Sequence, residues 1–430
     1  MKLYSTRGQS PVVSFREALF AGQAPDGGLY MPVDFPSMPI EAIAAENDFR
    51  AAAATAVAQW LGDELTHEGV RYVTEKAFFF QPELQPLSNE VNVLELFHGP
   101  TLSFKDFGAQ FMAKSMGWFL RNENREITIL VATSGDTGSA VAHAFHRVEG
   151  IRIVLLYPSG KVSPLQERQF TTLGDNVHAL EVDGTFDDCQ ALVKTAFRDA
   201  ELTAEARLSS ANSINIGRLI PQSLYYLWAV TRFAGEAPVV CVPSGNFGNL
   251  CAGLFAEQCG LGVHRFIAAV NANAVIPEYL ETGVLRPRPS LQTLSNAMDV
   301  GNPSNWERIR TLYGDDRSRI AARLWSTSIS DDETLATIRR VYEQDGYLAD
   351  PHTAVGLAAT QRYRVAEKDA RRAIVLSTAH PAKFLEVMAK AVEAPVPLPP
   401  ALEACLNRPK IAEPLPNDYK ALKEFIRYVN

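Results

Sequence analysis

The chain has 430 residues, 47% of them hydrophobic and 21% charged, an ordinary composition for a globular protein and enough length for two or three domains. Its net charge of −8 argues against a nucleic-acid partner or an anionic membrane surface. The five cysteines make an odd set with no CxxC pair, which predicts reduced thiols and no metal site.

Residues 1–8 show no apolar leader, and no apolar run reaches bilayer length, so a cytoplasmic location with no membrane partner is expected. Residues 26–32 read as a turn into a short extended piece. Residues 47–61 predict a helix with Asp48 near its start. Residues 81–89, with two prolines, read as a connection. From residue 91 a strand–loop–helix rhythm begins. Strands are predicted at 93–97, 127–132, 151–156, 177–182, 239–242, 265–270 and 373–376. Helices are predicted at 104–120, 139–147, 163–173, 185–197, 216–233, 250–258, 332–343, 353–364 and 382–391. Thr185 and Asp188 form a capping box for the fourth of these. Strands this apolar, alternating with helices, predict an α/β fold with parallel sheets covered by helices on both faces. The prolines between 395 and 400 mark the start of a tail.

Ligands bind open parallel sheets at the carboxyl ends of the strands; four segments are placed there, and a fifth, 212–218, is weighed beside them. Residues 100–108 (PTLSFKDFG) put Lys105 where a strand hands over to a helix. The helix dipole and the flanking Phe104 and Phe107 disfavour an ammonium there, and a neutral amine attacks carbonyls. The alternative is a lysine that keeps its charge in water. Ser244-Gly245-Asn246-Phe247-Gly248-Asn249 can turn backbone N–H groups onto a phosphate at a helix start, or can be a tight turn. Thr133, Ser134 and Thr137, with two glycines in the same six residues, favour anion binding over simple helix capping. Residues 377–384 (STAHPAKF) offer the Thr378 hydroxyl to a ring nitrogen or to a helix cap, with His380 read as a structural histidine. Asn212, Ser213 and Asn215, followed by Arg218, either ring a second anion or form a capped helix with an exposed arginine.

Together, Ser-Phe-Lys-Asp at 103–106, SGDTG at 134–138 and SGNFGN at 244–249 resemble the threonine synthase family of pyridoxal 5′-phosphate (PLP) enzymes. The likeness runs from STRG at 5–8 and DGGLY at 26–30 to HPAKF at 380–384, with the SGDTG loop of its longer bacterial and fungal subgroup. It implies the PLP fold type II, with a smaller domain inserted in the cofactor domain and an N-terminal extension. The expected division is 1–88, then 89–125 with 213–400 as the large domain, 126–212 as the insert, and 401–430 as a tail segment.

The resemblance further implies that Lys105 holds PLP covalently and moves the substrate α-proton. Ser244, Gly245, Asn246, Phe247, Gly248 and Asn249 would hold the cofactor phosphate, and Thr378 would face the pyridine nitrogen. Thr133, Ser134 and Thr137 would hold the substrate carboxylate. Asn212, Ser213, Asn215 and Arg218 would hold the phosphate of O-phospho-L-homoserine. Asp136 stands where related enzymes carry an asparagine beside the cofactor's phenolic oxygen, so it is expected either to be protonated in the closed site, the reading preferred, or to point elsewhere and leave that oxygen to another group. The implied reaction is γ-elimination of phosphate followed by β-addition of water, in a monomer or homodimer. A serine or threonine dehydratase, a cysteine synthase and a non-catalytic ligand-binding homologue are the competing readings. A nicotinamide dehydrogenase is disfavoured, because neither glycine-rich loop has the GxGxxG spacing.

Overall fold

The computed structural model describes every residue except Asn124, Ser134, Ala234 and Asn430. In chain order the strands are β1 (Lys2–Ser5), β2 (Val13–Ser14), β3 (Tyr30–Pro32), β4 (Glu83–Pro86), β5 (Val91–Glu95), β6 (Ile127–Ala132) and β7 (Ile151–Pro158). They continue as β8 (Val177–Val182), β9 (Leu208–Ser209), β10 (Val239–Pro243), β11 (Arg265–Val270), β12 (Leu324–Ser328), β13 (Ala373–Ser377) and β14 (Glu413–Leu415). They build three sheets: a small antiparallel one ordered β2-β1-β3, a six-stranded one ordered β12-β11-β10-β13-β5-β4, and a five-stranded one ordered β14-β8-β7-β6-β9. The five-stranded sheet is wholly parallel. In the six-stranded sheet only β4 runs against its neighbour.

The apolar runs dictate this arrangement. Every residue of β10 and β13 is buried, which requires helices on both faces. Alternate side chains go to different cores. Val240 and Val242 face the largest one, while Val239 and Cys241 face a second core shared with Val355 and Ala359. Ile129, Val131, Ile153 and Leu155 of the five-stranded sheet join the same largest core. The two large sheets therefore share one apolar interior, filled by the helices Lys105–Leu120 and Ile216–Val230. The latter is buried along its whole length, Pro221 included.

Three expectations are corrected. The helix predicted at 47–61 runs to Ala77 as Phe49–Ala77, kinked at Thr66 with φ 62° and ψ 167°. Beyond the kink Gly69 lies so close to the Trp118 indole that a Cβ would sit 2.7 Å from it. The connection at 81–89 contains β4, an antiparallel edge strand where a proline costs no ladder hydrogen bond. The residues after 400 do not trail away. β14 pairs with β8, and the helix Tyr419–Val429 buries Leu422 and Ile426 against the outer face of the five-stranded sheet. β12, the half-polar Leu-Trp-Ser-Thr-Ser, had no strand signal in the sequence because it is an edge strand, apolar at one end only. All five cysteines are free and buried. Among the described residues no helix is long and apolar enough to cross a membrane.

Candidate active site

β5 ends at Glu95, and the chain then loops to Lys105, the first residue of its helix. The loop is fastened to the segment after β13. Phe104 N donates to Thr378 O at 2.9 Å, His380 N donates to Leu102 O at 3.1 Å, and Ser103 bridges Ala379. Lys105 and Thr378, 273 positions apart in the sequence, are thereby held side by side at two adjacent strand ends. His380 accepts from Ala382 N through Nδ1 and packs edge-on against Phe97, a structural role.

The Lys105 side chain is 17% exposed, with Nζ 3.9 Å from Asp136 Oδ2. Its pKa is lowered to about 8, chiefly by burial. Lys383 and Arg218 push in the same direction, while Asp136 and Asp106 oppose them. Burial was foreseen from Phe104 and Phe107, but the two cations were not. Asp106 is buried and accepts from Thr101 N at 2.9 Å and Thr101 Oγ1 at 2.7 Å. Burial raises its pKa to about 6 against the pull of those hydrogen bonds.

Asp136 is paired with two lysines, one of which the sequence did not point to. Burial alone would favour its protonated form. Lys383 and Lys105 outweigh that, helped by hydrogen bonds from Lys383 and from Gln166 Nε2 at 2.9 Å, and the group is held well below the usual carboxylate range. Its partner Lys383, whose side chain is fully buried, sits 2.6 Å from Oδ1 and donates to Thr101 O at 2.8 Å. Lys383 was part of a quoted motif but was given no role. The signal was a lysine inside an otherwise apolar stretch.

The SGNFGN segment lies between β10 and the helix Gly248–Gln258. Phe247 is left-handed (φ 60°, ψ 9°), and no side chain caps the helix behind it. Gly245 lies against backbone, where a Cβ would come 2.8 Å from Met298 Cα. Ser244 Oγ donates to Val242 O. Asn249 Oδ1 accepts from Tyr225 OH and Tyr226 OH, which leaves its Nδ2 buried without a partner. An uncapped helix start, a left-handed turn and an unused buried donor fit a phosphate ester such as the one PLP carries.

The expected substrate residues divide. Thr133 Oγ1 accepts from Gly135 N (3.0 Å) and Gly138 N (2.8 Å), so this hydroxyl organises its own loop, where a direct substrate contact was expected. The Thr137 hydroxyl makes no hydrogen bond among the described residues. Ser134 lies outside the described residues. Asn215 is also corrected. It caps the helix Ile216–Val230 through Gly217 N, and its amide donates to Leu19 O and Ser210 O, so it ties in the N-terminal unit with nothing left for an anion. Asn212 is half-buried, its N–H bonded to Ser210 Oγ. Ser213 Oγ accepts from Asn246 Nδ2 at 2.8 Å. Arg218 is not exposed. It is 1% accessible, donates to Ala211 O at 2.7 Å, and keeps a buried Nε without a partner. Burial lowers its pKa to about 10.

Asn305 and Arg308 were missed altogether. Asn305 Nδ2 donates to Asn246 O at 3.1 Å, and buried Arg308 donates to Tyr30 O, Asn305 Oδ1 and Ile214 O. They brace the SGNFGN segment from a stretch with no strand or helix pattern pointing at a site.

Known proteins were compared with this chain. Residues 2–78 match the threonine synthase N terminus, residues 83–378 the pyridoxal-phosphate dependent enzymes, and residues 353–426 the threonine synthase C-terminal region. The threonine synthases of Serratia marcescens and Escherichia coli (strain K12) are each 42% identical, with 99% of both chains covered. The structure of PLP-bound threonine synthase from Brucella melitensis superposes with a TM-score of 0.94 at 37% identity, covering 100% of this chain and 99% of that one. The yeast enzyme gives 0.90 at 30% identity, covering 99% and 98%. A threonine deaminase from Solanum lycopersicum, 16% identical with a TM-score of 0.58 over 74% of this chain and 85% of that one, shares the fold. With a lysine amine at the end of one strand of the six-stranded sheet, an uncapped helix start at the end of another, and matches along the whole chain, this protein is a member of the threonine synthase family of PLP-dependent enzymes.

Proposed function

We propose that this chain converts O-phospho-L-homoserine and water to L-threonine and phosphate, with PLP held on Lys105. The observation that carries the reading is the Lys105 amine, whose affinity for a proton is reduced to a pKa of about 8, at a strand end of the same sheet that carries an uncapped helix start. PLP, when bound, supplies an aldehyde for the substrate amine and a ring that spreads carbanion charge. The chain supplies the rest. Lys105 Nζ is the base for the α-proton, tethered beside that carbon. The backbone N–H groups of Gly245–Asn249 hold the cofactor phosphate, and Thr378 offers a hydroxyl to the ring nitrogen. The N–H groups and Thr137 hydroxyl of the 133–138 loop receive the substrate carboxylate. Ser213 and Arg218 receive the leaving phosphate.

We read residues 126–212 as the smaller domain, the protein as a monomer or homodimer, and its location as cytoplasmic. Phosphate release from O-phospho-L-homoserine, with L-threonine formed in equal amount, tests the reaction. Borohydride trapping followed by peptide mapping tests the lysine. Release of ammonia from threonine without phosphate turnover, or a tag away from Lys105, overturns the reading.

A further inference from the structure

Lys383 is a fully buried lysine outside the cofactor and substrate roles given above, and its surroundings define what it does. It sits in the 3-10 turn Pro381–Phe384, at the carboxyl end of β13 in the six-stranded sheet. Its partner Asp136 opens the helix Asp136–Phe145, which follows β6 in the five-stranded sheet. The 2.6 Å pair therefore spans the two sheets beside the reactive amine. Asp136 uses Oδ1 for Lys383 and for Gln166 Nε2, and presents Oδ2 to Lys105 Nζ at 3.9 Å. A buried lysine persists only where a charge and hydrogen bonds compensate it. Here Asp136 and the Thr101 carbonyl do so, and that carbonyl also accepts from Gln169 Nε2 at 3.2 Å.

We propose that Lys383 is a positioning residue for the reaction: it holds Asp136 as a half-neutralised carboxylate, so that Lys105 faces a carboxylate oxygen whose pull on its proton is already shared. Without Lys383, Asp136 would turn its whole charge on Lys105, and the amine would keep its proton. The other charges around the pair are fixed on different elements. Asp106 follows Lys105 on its helix and Arg218 lies on the helix Ile216–Val230. His143 and His380 also feel Lys383, and burial lowers the pKa of both. None of these can replace an ammonium in contact with Oδ1.

The proposal rests on Lys105 as the cofactor-holding amine, and its test separates the two. The absorbance of the bound cofactor is titrated against pH in the wild-type holoenzyme, in Lys383→Met and in Lys383→Gln, which keeps a donor for Thr101 but no charge. The midpoint should rise by about one unit or more in both, a tenfold tighter hold on the proton. Asp136→Asn should lower it. Combining Asp136→Asn with Lys383→Met should bring it back toward the wild-type value. Competitive acetylation of the cofactor-free chain over the same pH range, read on the Lys105 peptide, reports the same shifts whether or not the cofactor sits on that lysine. A midpoint and a labelling profile that stay at the wild-type values while the melting temperature falls would show a purely structural pair and overturn the proposal. A downward shift in Lys383→Met would overturn it as well. Trapped cofactor on another lysine, with the Lys105 labelling shift intact, would remove the cofactor reading and leave the coupling standing.

Discussion

Asn246 and Ser213 are in contact: the amide of one donates to the hydroxyl of the other at 2.8 Å. This bond joins the segment proposed for the cofactor phosphate to the segment proposed for the substrate phosphate. The two anion positions share an edge, and Asn305 braces both, donating to Asn246 O at 3.1 Å and to Ser213 O at 3.5 Å. One phosphate can stay bound while a neighbouring one departs only if the shared wall is rigid.

Ser213→Ala should therefore raise KM for O-phospho-L-homoserine about three- to tenfold, the scale of one hydrogen bond of ~1 kcal/mol, with the cofactor retained. Arg218→Met, which fills most of the buried volume, should cost about 1.5–3 kcal/mol in kcat/KM. Steady-state phosphate release, run beside a cofactor absorbance spectrum, measures both. Unchanged kinetics in Arg218→Met would move the substrate phosphate elsewhere.

The pH dependence of stability has opposite signs at two neighbouring residues. Lys105 has a folded pKa of about 8 against an ordinary 10.5. Between those values the unfolded chain holds a proton that the folded chain has lost, so raising the pH favours folding. The burial penalty is complete below pH 8 and is relieved toward pH 10.5. Asp106 has a folded pKa of about 6 against an ordinary 3.8. Between those values the folded chain holds the extra proton, so raising the pH disfavours folding. Denaturant melts of the cofactor-free protein should show Lys105→Met more stable than wild type at pH 7 by an amount on the order of 3 kcal/mol, a gap that narrows to about 1 kcal/mol by pH 10. A gap constant with pH would place the effect in packing.

Gly245→Ala should weaken cofactor binding more than it weakens the fold. The added methyl would sit 2.8 Å from Met298 Cα and 3.1 Å from Ala297 O, both backbone atoms, so the phosphate segment must shift. The 297–298 backbone has little freedom to yield, because Ala297 N donates to His352 Nε2 and the His352 ring is held by Asp350 at 2.9 Å. Equilibrium dialysis of PLP against the variant, alongside its melting temperature, separates the two effects.

The C-terminal residues are part of the five-stranded sheet's core. Leu422 is fully buried there, so Leu422→Ala should cost roughly 2–5 kcal/mol, the range for a buried leucine that leaves a cavity. A chain ending at residue 411 loses β14 and bares the edge of β8. It should aggregate on warming, measurable by light scattering, where the full chain stays dispersed.

The local pattern of this sequence was enough for some things. Strands β10 and β13 are fully buried, and β7 is apolar and buried apart from half-buried Arg152, so the parallel, helix-covered sheets could be read directly. Lys105 and the SGNFGN segment each sit at a strand-to-helix junction, and their chemistry follows from residues adjacent in the chain. Other features depended on partners far away. The protonation of Asp136 turned on Lys383, 247 positions later, and could not be read from the SGDTG loop. The segment left Arg218 open between an anion ligand and an exposed arginine until the fold buried it, and Asn215 looked like an anion ligand until Leu19 and Ser210 claimed its amide. Electrostatic coupling depends on distance in space, and only the packing of the two sheets brought these charges together.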